Sequence, residues 1–418
     1  MAKKKNRDAP REYTCPYCFR LIDLDALHWM CTGANCARTF AERAFSTRNE
    51  EDMRYVSRDG RNEVDLEQCL MNGKDPAGPD AIITRRHIIR NKSKICDVCG
   101  RITYYRACPI CHNDIPPGVE DHGNTTFIIL GPKGSGKSHY MAVLINQLKN
   151  RIAKEFSATL NAANDSTSLN YRDKYHETLF QKKRILPPTE SLSVSDSSRE
   201  ALVYHFRLFD QGKVYTIVFM DTAGEDLGSI DSMNNLNLSP YISMAAGIIY
   251  LVDPLQMDAI RNKTSVKNLP QVTGDAVTIL DNISRIIRTN KQLRSREKVD
   301  IPIAVTLTKC DVLMKPPVNE DEATISLPPC SAVRIPRRRG EYDAENFEQI
   351  DIELEEYCRR HVGDGFIQAV NGFEKHAFFA VSALGNNPSG LELTRGITPI
   401  RVEDPLLWLL HMEETNEH

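Results

Sequence analysis

No stretch of this 418-residue chain approaches the ~18–20 consecutive apolar residues that cross a bilayer, so a spanning helix is excluded. The N-terminus, Met1-Ala-Lys-Lys-Lys-Asn-Arg7, carries the charges of a secretory leader without an apolar segment behind them. The expectation is a cytoplasmic protein with no membrane attachment. A surplus of one charge is missing too. The 53 Lys and Arg against 56 Asp and Glu leave a net charge of −3, which argues against a general nucleic-acid coat and leaves only local basic patches. No internal repeat runs through the chain. What is there, 41% hydrophobic and 26% charged residues, is the profile of a globular protein large enough for two or three domains.

The texture changes along the chain. A basic tail at 1–12 precedes a cysteine-rich region at 13–115, and Ile115-Pro-Pro-Gly-Val-Glu-Asp-His-Gly reads as a linker. Beyond it, 123–415 alternates apolar runs with helical patterns. Thr125–Leu130, Val214–Met220, Ala246–Val252, Ile303–Leu307 and Ala377–Val381 are runs suited to parallel strands buried on both faces. Ala201–Phe209 alternates as a half-exposed edge strand would, and Leu406–Met412 closes the chain as a helix behind Asp404-Pro405. Strands alternating with helices give an α/β fold, a doubly wound and mostly parallel sheet. Two stretches interrupt it. Residues 155–200 are polar and serine-rich, with a helix near 168–183. Residues 314–345 read as a long flexible insertion carrying Arg337-Arg338-Arg339.

Residues 131–138, Gly-Pro-Lys-Gly-Ser-Gly-Lys-Ser, lie between a strand and a helix and match the Walker A spacing at Gly131, Gly136, Lys137 and Ser138. Glycines let such a loop wrap a phosphate with its N–H groups inward, and the helix N-terminus adds a positive dipole. The loop Lys133-Gly134-Ser135, with Lys137 and His139, is therefore a candidate phosphate cradle. Lys137 would reach the β- and γ-phosphates, and the Ser138 hydroxyl would ligate Mg²⁺. Asp221-Thr-Ala-Gly224 ends the next central strand, with Asp221 placed for Mg²⁺ through water and the Gly224 N–H for the γ-phosphate. Thr308-Lys309-Cys310-Asp311 ends another strand. A carboxylate at Asp311 accepts two hydrogen bonds from guanine N1–H and its 2-amino group, a pair adenine lacks, and the Lys309 stem would lie against the base. Ser382-Ala383-Leu384 follows a later strand and offers N–H groups to guanine O6.

These four motifs, in this order, resemble the G1, G3, G4 and G5 boxes of Ras-like (TRAFAC-class) GTPases over about residues 123–415. The resemblance implies a mixed six-stranded sheet with an antiparallel edge near 200–209, GTP or GDP and Mg²⁺ as ligands, and Lys137, Thr189, Gly224 and Glu225 as the catalytic group. Thr189 is the candidate for the switch threonine that touches Mg²⁺. Two positions depart from the pattern: Thr308 stands where asparagine is commoner, and Glu225 where Ras-like proteins carry the glutamine that orients water.

Of the 12 cysteines, eight fall in close pairs before residue 112. Cys69, Cys310, Cys330 and Cys358 are scattered and read as ordinary thiols. Cys96-x-x-Cys99 and Cys108-x-x-Cys111 are two knuckles suited to one Cys₄ zinc, and Cys15-x-x-Cys18 with Cys31-x₄-Cys36 to a second. The sequence leaves open whether ligands group in this order or cross between the clusters. His28 could replace one cysteine, with a packing role preferred. Two Zn²⁺ with all eight thiolates engaged would be structural, and the module would dock a protein partner. Arg85-Arg86-His87, Arg90 and Lys92 read as a solvated face in preference to a nucleic-acid contact. Arg337–Arg339 read the same way, or as a hook for an acidic partner. As a whole, a zinc-ribbon pair joined to a GTPase resembles the bacterial double-GTPase families linked to antiviral defence operons, which implies a second GTPase as a partner.

Overall fold

A computed structural model of the protein describes residues 12–31, 63–64, 83–84, 88–89, 94–96, 99–115, 125–187, 202–210, 212–219, 238–266, 269–272, 275–386, 388 and 390–416. The chain divides into two compact units, Met1–Asn124 and Thr125–His418. Among the described residues no helix is long and apolar enough to cross a membrane.

The first unit is built from short strands: β1 (Glu12–Thr14), β2 (Leu21–Asp23), β3 (His28–Met30), β4 (Glu63–Val64), β5 (Ile83–Thr84), β6 (Ile88–Ile89), β7 (Tyr105–Ala107) and β8 (Asp114–Ile115). Strands β1 and β2 form a hairpin, and a four-stranded sheet runs in the order β6-β3-β7-β8. Among its described residues two small clusters are buried. One gathers Tyr13, Cys15, Ile22, Cys108 and Ile115, and the other Cys31, Ile89 and Cys96. Both clusters are built around buried cysteines, which is where a staple would act.

The second unit carries a seven-stranded sheet in the order β10-β11-β12-β9-β13-β14-β15. Its strands are β9 (Thr126–Leu130), β10 (Ala158–Ala162), β11 (Leu202–Leu208), β12 (Val214–Phe219), β13 (Gly247–Val252), β14 (Ile303–Leu307) and β15 (His376–Ala380). From β12 to β15 every pairing is parallel. Strands β9, β13 and β14 are buried at every position, as expected of apolar runs covered on both faces. Strand β11 is antiparallel to β12 but is not the edge. Strand β10 pairs antiparallel outside it, giving seven strands in place of the expected six. The difference arises because the Ala158-Thr-Leu-Asn-Ala162 alternation is short and mixed with polar residues, yet buries Ala158 and Leu160.

Helix α1 (Lys137–Gln147) follows β9 and continues in helical form to Glu155. Helix α2 (Asp165–Asn170) runs on to Gln181. Helix α3 (Ala276–Asn290) is capped by Asp275, which accepts from the Val277 and Thr278 N–H groups. Helices α4 (Ala344–His361) and α5 (Asp404–Asn416) complete the cover.

The 314–345 segment is ordered rather than loose. It holds a helix at Glu320–Ile325 and a 3₁₀ turn at Ala332–Arg334, with Ile325, Leu327 and Val333 buried. Arg337 is not a solvated charge. Its side chain is 6% exposed and pairs with Glu155 at 2.8 Å, Glu403 at 3.3 Å and Asp404 at 3.6 Å. The acidic partner of this arginine is the unit itself.

Candidate functional site

Strand β9 delivers the chain into the loop 131–136 at the C-terminal edge of the sheet, the place where open α/β folds bind ligands. Gly131 is required there. A Cβ on it would stand 2.8 Å from the Leu251 carbonyl and 2.8 Å from Ser135 Oγ. Gly134 (φ +76°) and Gly136 (φ +85°) occupy the left-handed region, which only glycine adopts freely. Lys137 is buried at the start of α1. Gln256 Nε2 donates to the Lys133 carbonyl at 2.9 Å and props the loop from behind.

The other wall comes from β14. Thr308 donates through both N and Oγ1 to the Val252 carbonyl, at 2.8 and 3.2 Å, so the departure from asparagine keeps a hydroxyl tether to the neighbouring strand. Lys309, itself left-handed (φ +53°), donates to the Gly134 carbonyl at 3.2 Å and pairs with Asp253 Oδ2 at 2.5 Å. Asp311 is 7% exposed. Its Oδ1 accepts from Ser382 Oγ at 2.6 Å, while its Oδ2 has no hydrogen-bond partner in the protein. Burial raises its pKa, and the Ser382 hydrogen bond opposes that. Ser382 Oγ also accepts the Gly385 N–H at 2.9 Å, tying the 382–385 turn to the carboxylate.

These walls enclose a cavity of about 520 Å³ lined by Lys133, Gly134, Lys137, Ser138 and His139 at one end, and by Thr308, Lys309, Asp311 and Ser382–Leu384 at the other. The volume is that of an ordinary small-molecule site. Leu186, Pro187, Pro270 and Gln271 also line it. His139 Nε2 accepts the Leu186 N–H at 3.0 Å, which requires a neutral ring, and burial, with the Lys309 charge, holds its pKa down to about 4. The same segment is pinned by Ile185 N–H to Leu391 O at 2.9 Å and Leu393 N–H to Lys183 O at 2.8 Å.

Of the candidate residues, Lys133, Gly134, Lys137, Ser138, His139, Thr308, Lys309, Asp311, Ser382, Ala383 and Leu384 thus share one cavity. Gly131 and Ser135 shape the loop. Thr189, Asp221, Gly224 and Glu225 lie outside the described residues. Asp253 and Gln256 escaped the sequence reading. The available signal was position: Asp253-Pro-Leu-Gln256 follows the apolar run 246–252 at the same sheet edge as the loop.

In the first unit the thiols gather in two groups, Cys15, Cys18, Cys108 and Cys111, and Cys31, Cys96 and Cys99. The grouping nests the outer pairs around the inner ones, the crossed arrangement of the two that the sequence leaves open. Sheet pairing is the cause: β3 pairs with both β6 and β7, bringing the start and the end of the unit together. Cys36 lies outside the described residues. His28 belongs to neither group and packs with its ring 6.2 Å from that of His112.

Three knuckles share one turn. Cys15, Cys96 and Cys108 each accept, at the backbone carbonyl, the N–H of the residue four positions on. That residue is left-handed in each case: Phe19, Gly100 and His112. Sulfurs stand 3.5 Å (Cys15–Cys111), 3.9 Å (Cys18–Cys108) and 3.4 Å (Cys31–Cys99) apart. Four thiolates on one tetrahedral zinc, with Zn–S near 2.3 Å, lie ~3.8 Å apart. The Ile110 and Cys111 N–H groups point to Cys108 Sγ at 3.4 and 3.5 Å. Hydrogen bonding, first from Cys111, lowers the Cys108 thiol, while burial raises Cys15 and the hydrogen bond with Cys108 raises Cys111. The donor set fits zinc.

The Double-GTPase 2 family model matches residues 127–362, more than half of the chain. SaeC of Mycolicibacterium smegmatis, named for a proposed role in ESX-1 scaffolding and assembly, is 28% identical over 318 residues, covering 72% of this chain and 78% of that protein. The GTP-bound GTPase-like domain of S. cerevisiae Ski7 aligns at 15% identity and a TM-score of 0.28, covering 69% of this chain and 50% of that one. Elongation factor SelB of Methanococcus maripaludis, in complex with GppNHp, aligns at 12% and 0.27, covering 71% and 35%. The chain spans half or less of the solved structures it matches, and overlaps of that extent carry no argument about ligand or partner.

Proposed function

The chain belongs to the Double-GTPase 2 family, and from that premise we propose that it is a guanine-nucleotide switch of slow or partner-dependent turnover. The observation that carries the reading is Asp311. It holds one carboxylate oxygen on Ser382 and keeps the other without a protein partner, in the cavity that also contains Lys137. A buried, unpaired acceptor costs about 1–3 kcal/mol, and guanine N1–H and its 2-amino group would satisfy it. Lys309 is clamped between Gly134 O and Asp253, and its stem would then lie along one side of the base.

In this reading Lys137 neutralises charge on the β- and γ-phosphates, and Ser138, Asp221 and Thr189 would hold Mg²⁺, which supplies further charge neutralisation when bound. Glu225 sets the rate. A glutamine there can donate and accept, whereas an ionised glutamate only accepts and adds charge beside an anionic phosphate. The cysteine unit would be a zinc-stapled module that docks a protein partner, a second GTPase being the partner the family resemblance implies.

A second reading is a nucleotide-clamped scaffold subunit with little turnover, and the similarity to SaeC favours it. The defence role rests on the family resemblance alone. Single-turnover GTP hydrolysis by the pure protein, beside Glu225→Gln, tests the switch. A slow parent that gains rate as Glu225→Gln supports it. A fast parent that collapses as Glu225→Gln identifies Glu225 as a working base and removes the slow-switch reading.

A further inference from the structure

The first unit leaves several large apolar side chains exposed. Among its described residues the exposed ones are Leu21, Ile95, Ile102, Tyr104 and Tyr105. Four of these five fall between 95 and 105, and by strand alternation Tyr105 projects away from the face that carries Tyr104. Local structure explains the gathering. Ile95 bridges Ile102, and the Thr103 N–H donates to the Lys94 carbonyl at 2.8 Å. This hairpin around the Cys96–Cys99 knuckle sets Lys94 beside Tyr104. On the adjoining sheet Trp29 of β3 is registered with Arg106 of β7. Cross-strand partners project to one face, and Tyr104, two residues before Arg106, projects with them.

The result is an alternation of rings and cations. Lys94 Nζ lies 5.0 Å from the Trp29 ring centre and 6.0 Å from that of Tyr104, and the Arg106 guanidinium lies 4.9 Å from Trp29. Tyr104 is 76% exposed; its ring is left to solvent, not spent on the core. Among the described residues no carboxylate pairs with Lys94 or Arg101. In sequence, 85–106 holds seven Lys and Arg (Arg85, Arg86, Arg90, Lys92, Lys94, Arg101 and Arg106) against the single acid Asp97.

We propose that this face binds single-stranded nucleic acid, with Tyr104 as the stacking platform, Trp29 holding the cations beside it, and Lys94 and Arg106 as phosphate contacts. Cations set beside one exposed ring and one half-buried ring suit a polyanion that carries flat bases at each charge. An acidic peptide would use the charges but leave the rings unsatisfied, and an apolar protein surface would have to desolvate the lysine and arginines. The proposal is independent of the nucleotide cavity.

The test uses the full chain with its zinc and a labelled oligothymidylate or oligouridylate of about 12 nucleotides, followed by fluorescence anisotropy between about 50 and 200 mM salt. The expected result is binding that weakens as salt rises and exceeds that of a blunt duplex of equal length. Tyr104→Ala and Lys94→Ala should each lower affinity by roughly fivefold or more with zinc content unchanged, and Lys137→Ala should leave it unaltered. Absence of binding at low salt, equal binding of the duplex, indifference to both face variants, or loss with Lys137→Ala would each overturn the proposal. If poly-L-glutamate binds through Tyr104 while the oligonucleotides do not, the face is a protein-docking surface instead.

Discussion

Arg337 is the most stringent place to test how the second unit is held together. Its guanidinium is 6% exposed and faces Glu155 (13%), Glu403 (6%) and Asp404 (2%), so the pairings lie largely out of water. Arg151 and Arg401 supply the remaining positive charge, on Glu403 and Asp404 respectively. Arg337→Ala leaves three carboxylates with two arginines in a largely buried site. Removing one partner of a buried pair costs about 3–5 kcal/mol, because the charge left behind is uncompensated. Arg338 is 64% exposed, and its pairs with Glu341, Asp343 and Glu345 are long, so Arg338→Ala should cost under about 1 kcal/mol. The chain has two tryptophans, so Trp29→Phe leaves Trp408, buried in α5, as a reporter of the second unit alone. Urea titration in that background should move the midpoint down by roughly 1 M or more for Arg337→Ala. The pH dependence has a defined sign. Burial pushes Asp404 up to about 7 from 3.8, with Arg401 and Arg337 opposing and Glu403 adding to the rise. A carboxyl whose folded value is raised favours folding most below its unfolded value and less as pH climbs through the folded one. Removing Arg337 raises Asp404 further, so the deficit should be larger near pH 8 than near about pH 5. Equal costs for Arg337→Ala and Arg338→Ala, or a deficit that shrinks with pH, would refute the buried-network account.

Metal analysis of protein made with ample zinc should return two equivalents, with Cys108→Ser removing one and Cys96→Ser the other; one or none in the parent contradicts two sites, and loss of the same equivalent in both variants contradicts the nested thiol groups. Because ligation is coupled to folding, chelation should unfold the first unit and spare nucleotide binding, as followed by its circular dichroism and a nucleotide titration. Gln256→Ala should weaken GTP and GDP alike by roughly two- to tenfold, the worth of one hydrogen bond to the phosphate loop. An unchanged affinity for both would remove Gln256 as the brace.

What the sequence made legible was local. The loop 131–138, the Thr308–Asp311 turn and Ser382–Leu384 each sit at the end of an apolar strand, and parallel strands bring such ends to one edge. Their convergence on one cavity follows from topology that alternation already implies. What stayed hidden depends on partners far apart in the chain. Each cysteine knuckle makes the same turn whichever knuckle it faces, so the nested grouping is decided by β3 pairing with β6 and β7. Arg337 reads as surface charge because its partners stand at 155, 403 and 404. Strand β10 was lost in a polar stretch, since five residues with two buried positions leave little periodicity. Asp253 holds Lys309 through one ion pair and Gln256 holds the loop through one hydrogen bond, neither of which leaves a motif.

The central claim is that Asp311 reads a guanine base, and its most direct test is nucleotide affinity of the parent and of Asp311→Asn. Equilibrium titration with GTP, ATP and XTP should show the parent preferring GTP by tenfold or more, the size of about 1.4 kcal/mol. Asp311→Asn should lose affinity for GTP and gain it for XTP, because an amide can donate to the xanthine 2-oxo group that a carboxylate repels. Equal binding of ATP and GTP by the parent, or an Asp311→Asn variant with unaltered preference, would contradict the account.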